Sequence, residues 1–126
     1  MVAAREKARQ VAEEKAQREA EERMRAEEKA LELMMLSLTP RQRDTWNEHG
    51  WFEVVSQSGK VFRIRNKMSL NVDEYDVQNE QVVASHCIVP KDGNIPLPDM
   101  YVMQMLMLQY DEAQFMRVAN HRQLVS

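Results

Sequence analysis

The chain predicts an α+β fold: a long N-terminal helical arm, a short helix, a small antiparallel sheet of three or four strands, and a C-terminal helix packed on that sheet. Three observations carry this. The first thirty residues hold eight acids and eight bases but no Gly, Pro or aromatic residue. Between Trp51 and Val89, β-formers alternate with polar residues around turn signals. From Met100 to Leu108 the chain is apolar on nearly every helical face, the pattern of a helix that is buried or covered by a partner.

The arm comes first. Residues 2–38 are rich in Ala, Glu, Lys, Arg, Gln and Met, all strong helix formers. Opposite charges recur four apart, as in Glu14 with Arg18, Glu19 with Arg23 and Glu21 with Arg25, each pair adding about 0.2–0.5 kcal/mol. Small apolar residues run Ala4, Ala8, Ala12, Ala16, Ala20, Met24. A spacing of four drifts around a helix of 3.6 residues per turn, and large apolar heptad residues are missing. A free charged helix, an arm docked shallowly through its alanines, and a coiled coil all remain open. Leu31, Leu33, Met34, Met35, Leu36 and Leu38 then form a dense apolar end that requires cover.

Thr39-Pro40 reads as an N-cap followed by proline at the first helical position, and Gly50 as a left-handed C-terminal residue, so a short helix spans Pro40 to about Glu48. Strands are expected at Trp51–Gln57, Lys60–Arg65, Asn71–Val77 and Gln81–Val89. Ser58-Gly59 serves as a two-residue hairpin turn and Gln78-Asn79-Glu80 as a second turn. Pro90 to Pro98 is a loop, Pro98-Asp99 opens the C-terminal helix, and Asp111 caps a further segment from Glu112 to Asn120. The expected core is Leu33, Leu36, Phe52, Val54, Phe62, Ile64, Val72, Val83, Cys87, Leu106 and Phe115. Two parts follow, a charged arm over 1–38 and a small α+β domain over 39–126.

Composition narrows the function. The net charge is −3, and neither part is strongly basic, so a dominant electrostatic footprint for nucleic acid is absent. Cys87 is the single cysteine, which precludes an intrachain disulfide. No apolar signal segment opens the chain, and Met100–Leu108 is too short to span a bilayer, so no secretion signal or membrane partner is expected. A soluble protein of an intracellular or virus-infected cytoplasm is the default expectation. Ten methionines are present, five of them from Met100 onward, and Met suits both irregular cores and adaptable binding surfaces.

No catalytic constellation emerges, and no cofactor or metal is expected. His86 and Cys87 are adjacent on a strand and point to opposite faces, so the imidazole does not activate the thiol; a surface histidine beside a buried cysteine is the expectation. His49, His86 and His121 lack metal-ligand spacing. Asp73, Glu74 and Asp76 lack the glycine and distal glutamate of a calcium loop and read as a solvated strand face. Trp51, Arg63, Arg65 and Lys67 could stack on and neutralise a nucleic acid, whereas cross-strand acids such as Glu53 offer them local partners. A helix-turn-helix over 31–49 would lack a second helix long and basic enough to read a groove. The stronger signal is interaction surface, with Ala8, Ala12, Ala16, Ala20, Met24, Leu31, Met34, Met35, Met103 and Met107 as the partner-binding candidates.

Ser58-Gly59-Lys60-x-Phe62-Arg63-Ile64, Asn71-Val72, Cys87-x-x-Pro90, Ile95-Pro96-x-x-Asp99 and Asp111-Glu112-x-x-Phe115-x-x-Val118-Ala119-Asn120 together resemble small proteins of tailed phages and prophages. The resemblance covers roughly residues 39–121, omits the arm, and carries no catalytic residue. It implies a viral setting, in which a non-enzymatic chain with a projecting helix is similar in style to capsid cement or head-associated proteins. The expected function is therefore a structural, assembly role with protein partners, a homo-oligomer or a capsid-type lattice. Nucleic-acid binding by the basic sheet face is the alternative.

Overall fold

The computed structural model describes residues 2–91 and 93–125. Helices α1 (Val2–Ser37) and α2 (Pro40–His49) precede strands β1 (Trp51–Val55), β2 (Val61–Arg65), β3 (Val72–Asp76) and β4 (Gln81–Cys87). Helices α3 (Leu97–Tyr110) and α4 (Glu112–Val118) and strand β5 (Asn120–Gln123) follow. The strands form one antiparallel meander in the order β1-β2-β3-β4-β5. The fold class is thus α+β as the sequence predicts, with five strands instead of three or four. Among the described residues of the expected Pro90–Pro98 loop no regular element appears before Leu97; Asp92 lies outside them.

The α2 boundaries follow the predicted chemistry. The Thr39 side chain accepts from Gln42 N (3.2 Å) while the Gln42 side chain accepts from Thr39 N (2.9 Å), a reciprocal capping box. Gly50 ends the helix at φ 76°, a conformation that costs a residue without a Cβ little. The β1–β2 connection differs from expectation. Ser56 N donates to Lys60 O, and Gln57, Ser58 and Gly59 form a three-residue loop with Gly59 at φ 88°. That loop is bonded to the start of α4: Glu112 accepts from Ser58 N (2.7 Å) and Ser58 Oγ (2.8 Å), and Gln57 Oε1 accepts from Glu112 N (2.9 Å). Burial pushes the Glu112 carboxyl up, but the Ser58 and Ser56 hydrogen bonds and nearby Lys60 outweigh it and hold the group below its usual range. Asp111, expected as the cap, makes no side-chain cap bond.

The core lies between one face of the sheet and the helices. It contains Met34, Leu38, Phe52, Val54, Phe62, Ile64, Val72, Met100, Tyr101, Met105, Leu108 and Phe115. Three expected members are instead on the surface: Leu33 (50% exposed), Leu36 (78%) and Leu106 (44%), while Val83 is half-buried. Segment 31–38 is apolar on every side, so composition does not fix its phase. Packing selects the row Ala30, Met34, Leu38, which recurs every four residues.

Inside this core sit two amides. Asn71 Nδ2 donates to Gln104 Oε1 (2.8 Å) and Gln104 Nε2 donates to Asn71 Oδ1 (3.0 Å), both side chains fully buried. The pair ties α3 to the residue before β3. Gln104→Leu should lower stability by about 1–3 kcal/mol, because the Asn71 amide then stays buried without its main partner. The double variant with Asn71→Leu should recover part of that loss. Urea midpoints at unchanged m-value report both.

Candidate functional site

The feature most able to make contact is α1 and its seat. It is a 36-residue helix of which only Ala30 and Met34 are buried, with Ala20 and Met35 half-buried. Residues 2–26 therefore project over about 38 Å at 1.5 Å per residue. Ion pairs along the exposed stretch, such as Arg9–Glu13 (3.7 Å) and Lys29–Glu32 (3.9 Å), are strongly solvated and add little each.

The C-terminal end of α1 is held chemically as well as by packing. Arg43 Nη1 of α2 donates to Met35 O (3.1 Å) and Leu38 O (2.8 Å), and Ser37 Oγ donates to Leu33 O (2.9 Å). The Arg43 guanidinium thus serves carbonyls of the last turn and of the residue after it, and its cation complements the negative dipole end of α1. About two turns earlier, Glu27 Oε1 accepts from Leu97 N (3.4 Å) at the start of α3, where a carboxylate is favoured. Trp46 of α2 lies 5.8 Å from the Phe52 ring and 5.5 Å from the Tyr101 ring, wedged between β1 and α3.

Beside this seat is an open apolar groove of about 800 Å3, lined among others by Leu31, Leu33, Met35, Leu36 and Arg43. Of the expected partner-binding residues, Ala8, Ala12, Ala16, Met24 and Leu31 are exposed, while Ala20, Met35, Met103 and Met107 are half-buried. Met34 is corrected: it is wholly enclosed in the chain's own core and offers nothing to a partner. Met103 and Met107 pack against that same core.

The basic sheet face is largely engaged with itself. Arg63 lies over Trp51 (4.1 Å) and Tyr75 (3.7 Å) and pairs with Glu53 (3.2 Å), and the Trp51 ring also stacks with His49. Arg65 pairs with Asp73 (2.8 Å) and donates to Leu70 O (2.8 Å), leaving Lys67 exposed. Asp73 and Glu74 do not form the expected solvated face. Asp73 is buried under Arg65 and Ser85, and Glu74 is half-buried beside Lys60 and His86. Asp76 caps its own turn by accepting from Gln78 N and Asn79 N.

His86 departs from the expected surface position: it is 3% exposed and packs against Phe62 and Phe115, while Cys87, also buried, receives a weak bond from Asn120. Pairing of β4 with β5 brings His121 to it, Nδ1 to Nδ1 at 2.7 Å, a contact that a separation of 35 positions hides from sequence reading. His121 Nε2 lies 2.9 Å from Met116 O, which only accepts, so His121 donates there. His86 Nε2 faces Glu74 Oε1 at 3.5 Å. Burial, then the neighbouring His121 charge, outweigh Glu74 and hold His86 below its ordinary 6.5. Among the described residues no group of three or more His, Cys, Asp or Glu is placed to hold a metal.

Two outcomes follow from these placements. Met34→Ala should cost about 2–5 kcal/mol in urea unfolding, whereas Leu36→Ala should stay within about 0.5 kcal/mol. The unfolded chain binds a proton at His86 near 6.5 while the folded chain resists it, so stability should fall as pH drops through 6.5. The urea midpoint measured from pH 7.5 to 5.5 reads this, and His86→Gln should flatten it. Comparison with protein-family models, with curated proteins and with solved structures returns no match.

Proposed function

We propose that this chain is a non-enzymatic assembly protein whose compact domain seats a rigid helical arm, and that the arm and the apolar groove at its base contact protein partners. The observation that carries this is the contrast along α1: residues 2–26 are exposed apart from half-buried Ala20, yet the helix end is locked by Met34, Leu38 and Arg43. Long isolated helices gain most of their stability from packing, so an extended polar helix on a firm base suits a surface that completes it elsewhere. The resemblance of residues 39–121 to phage proteins supports placing that partner in a virion, with the chain as an accessory of the cement or head-associated kind. The alternative, nucleic acid on Trp51, Arg63, Arg65 and Lys67, would have to break the Arg63–Glu53 and Arg65–Asp73 pairs.

Hydrogen exchange compared between the isolated chain and the chain in its particle tests the reading. Amides of residues 5–25 should exchange at least ~10-fold more slowly in the particle, the protection expected when an exposed helix is covered. Equal exchange in both states would refute it, as would full incorporation of a chain lacking residues 2–25.

A further inference from the structure

The charges of α1 are sorted by face. At about 100° per residue, Glu6, Glu13, Glu14, Glu21, Glu28 and Glu32 fall within one sector of about 100° that contains no base. Lys7, Lys15, Arg18, Arg25 and Lys29 fall in the adjoining sector of about 80°, which holds Glu22 as its only acid. The remaining sector carries Ala30 and Met34, the residues seated on the domain, and continues N-terminally through Ala26, Ala20 and Ala16, interspersed with charges of both signs: Arg5, Arg9, Glu19, Arg23 and Glu27. The side chains of both charged faces are exposed, and only the lower end of the acidic face, at Glu28, meets the domain, beside Trp46 and Tyr101.

Each charged face ends in apolar residues at the same height. The acidic face runs down to Leu31 and half-buried Met35, and the basic face to Leu33 and Leu36, which line the groove of about 800 Å3 beside α2. A surface that matches the acidic face must be basic over about six turns and apolar in its last turn. The basic face of another copy has that composition, in register: Lys7 beside Glu6, Lys15 beside Glu14, Arg25 beside Glu21 and Glu28, and Leu33 and Leu36 beside Leu31 and Met35.

We infer that the arms of neighbouring copies lie side by side and parallel, the acidic face and apolar end of one receiving the basic face and apolar end of the next. The contact uses two different faces of the same helix, so it is head-to-tail around the assembly and does not stop at a pair. The faces stand about 110° apart around α1, which turns successive copies in one sense with their domains outward. Charge pairing sets register and order, and burial of Leu33 and Leu36 adds a contribution that salt does not screen.

This rests on the reading of the arm as a contact element. Sedimentation of the full-length chain tests it, at ~50 mM and ~500 mM salt, which bracket strong and weak screening. Wild type should form a species larger than a dimer whose apparent dissociation constant rises with salt. The acidified variant (Lys15→Glu, Arg18→Glu, Arg25→Glu) and the basified variant (Glu14→Lys, Glu21→Lys, Glu28→Lys) should each self-associate at least ~10-fold more weakly, the effect of losing several exposed pairs. Mixing the two should restore assembly, because each then offers the face the other lacks. Circular dichroism reports whether the reversals keep the helix. Leu36→Lys, at a 78% exposed position, should weaken assembly by a comparable factor without touching the core.

A wild-type monomer or simple dimer at every concentration would overturn the inference, as would an oligomer indifferent to the reversals or variants that fail to rescue each other. A chain that stays monomeric alone while its arm is protected in the particle would sink the pairing of copies and leave the assembly reading standing.

Discussion

Met34 is where a solvated helix becomes part of a protein. N-terminal to it, α1 has the composition of a rod in water; at its own level the helix packs on α3 and joins the chain's core. Everything said about the arm depends on that burial, because propensity and exposed ion pairs give helicity but no direction. The seat is reinforced at the backbone. Arg43 satisfies two carbonyls at the end of α1 from a helix that begins three residues after α1 ends, so the turn around Thr39 and the stop of α1 support each other. Capping box, proline and guanidinium act on one short stretch, and the result is a defined exit for the arm.

The domain beneath is held by polar commitments as much as by its apolar core. The Asn71–Gln104 amides join α3 to the sheet, Glu112 joins α4 to the β1–β2 loop, and Arg65–Asp73–Ser85 spans three strands on the opposite face. Each leaves a buried group unpaired if one partner is lost, so each favours a single arrangement over near alternatives. The same economy accounts for the quiet sheet face. Arg63 between Trp51 and Tyr75 resembles a stacking platform in sequence, but its cation and both ring surfaces are already occupied by neighbours in the fold.

Local chemistry was the legible part. Thr39-Pro40 and Gly50 bounded α2 because capping and left-handed φ are decided within a few residues, and the alternation in β1 and β2 exposed their buried faces. Three features were hidden for distinct reasons. The phase of 31–38 was ambiguous because every side of that segment is apolar, so Leu33 and Leu36 read as core although Met34 and Leu38 fill it. Strand β5 has four exposed polar residues, Asn120 to Gln123, and no hydrophobic period; only pairing with β4 makes it a strand. The His86–His121 contact depends on that pairing and inherits its invisibility.

A stiff rod fixed at one end turns small rotations into large displacements. From Met34 to Val2 the helix spans about 48 Å, so rocking the base by about 10° swings the tip by about 8 Å, close to the distance between packed helices. The closeness of fit around one methionine thus sets the aim of residues more than thirty positions away, and a sub-ångström loosening there is magnified at the far end. In a molecule built this way, the tolerance of the core is also the pointing accuracy of the lever.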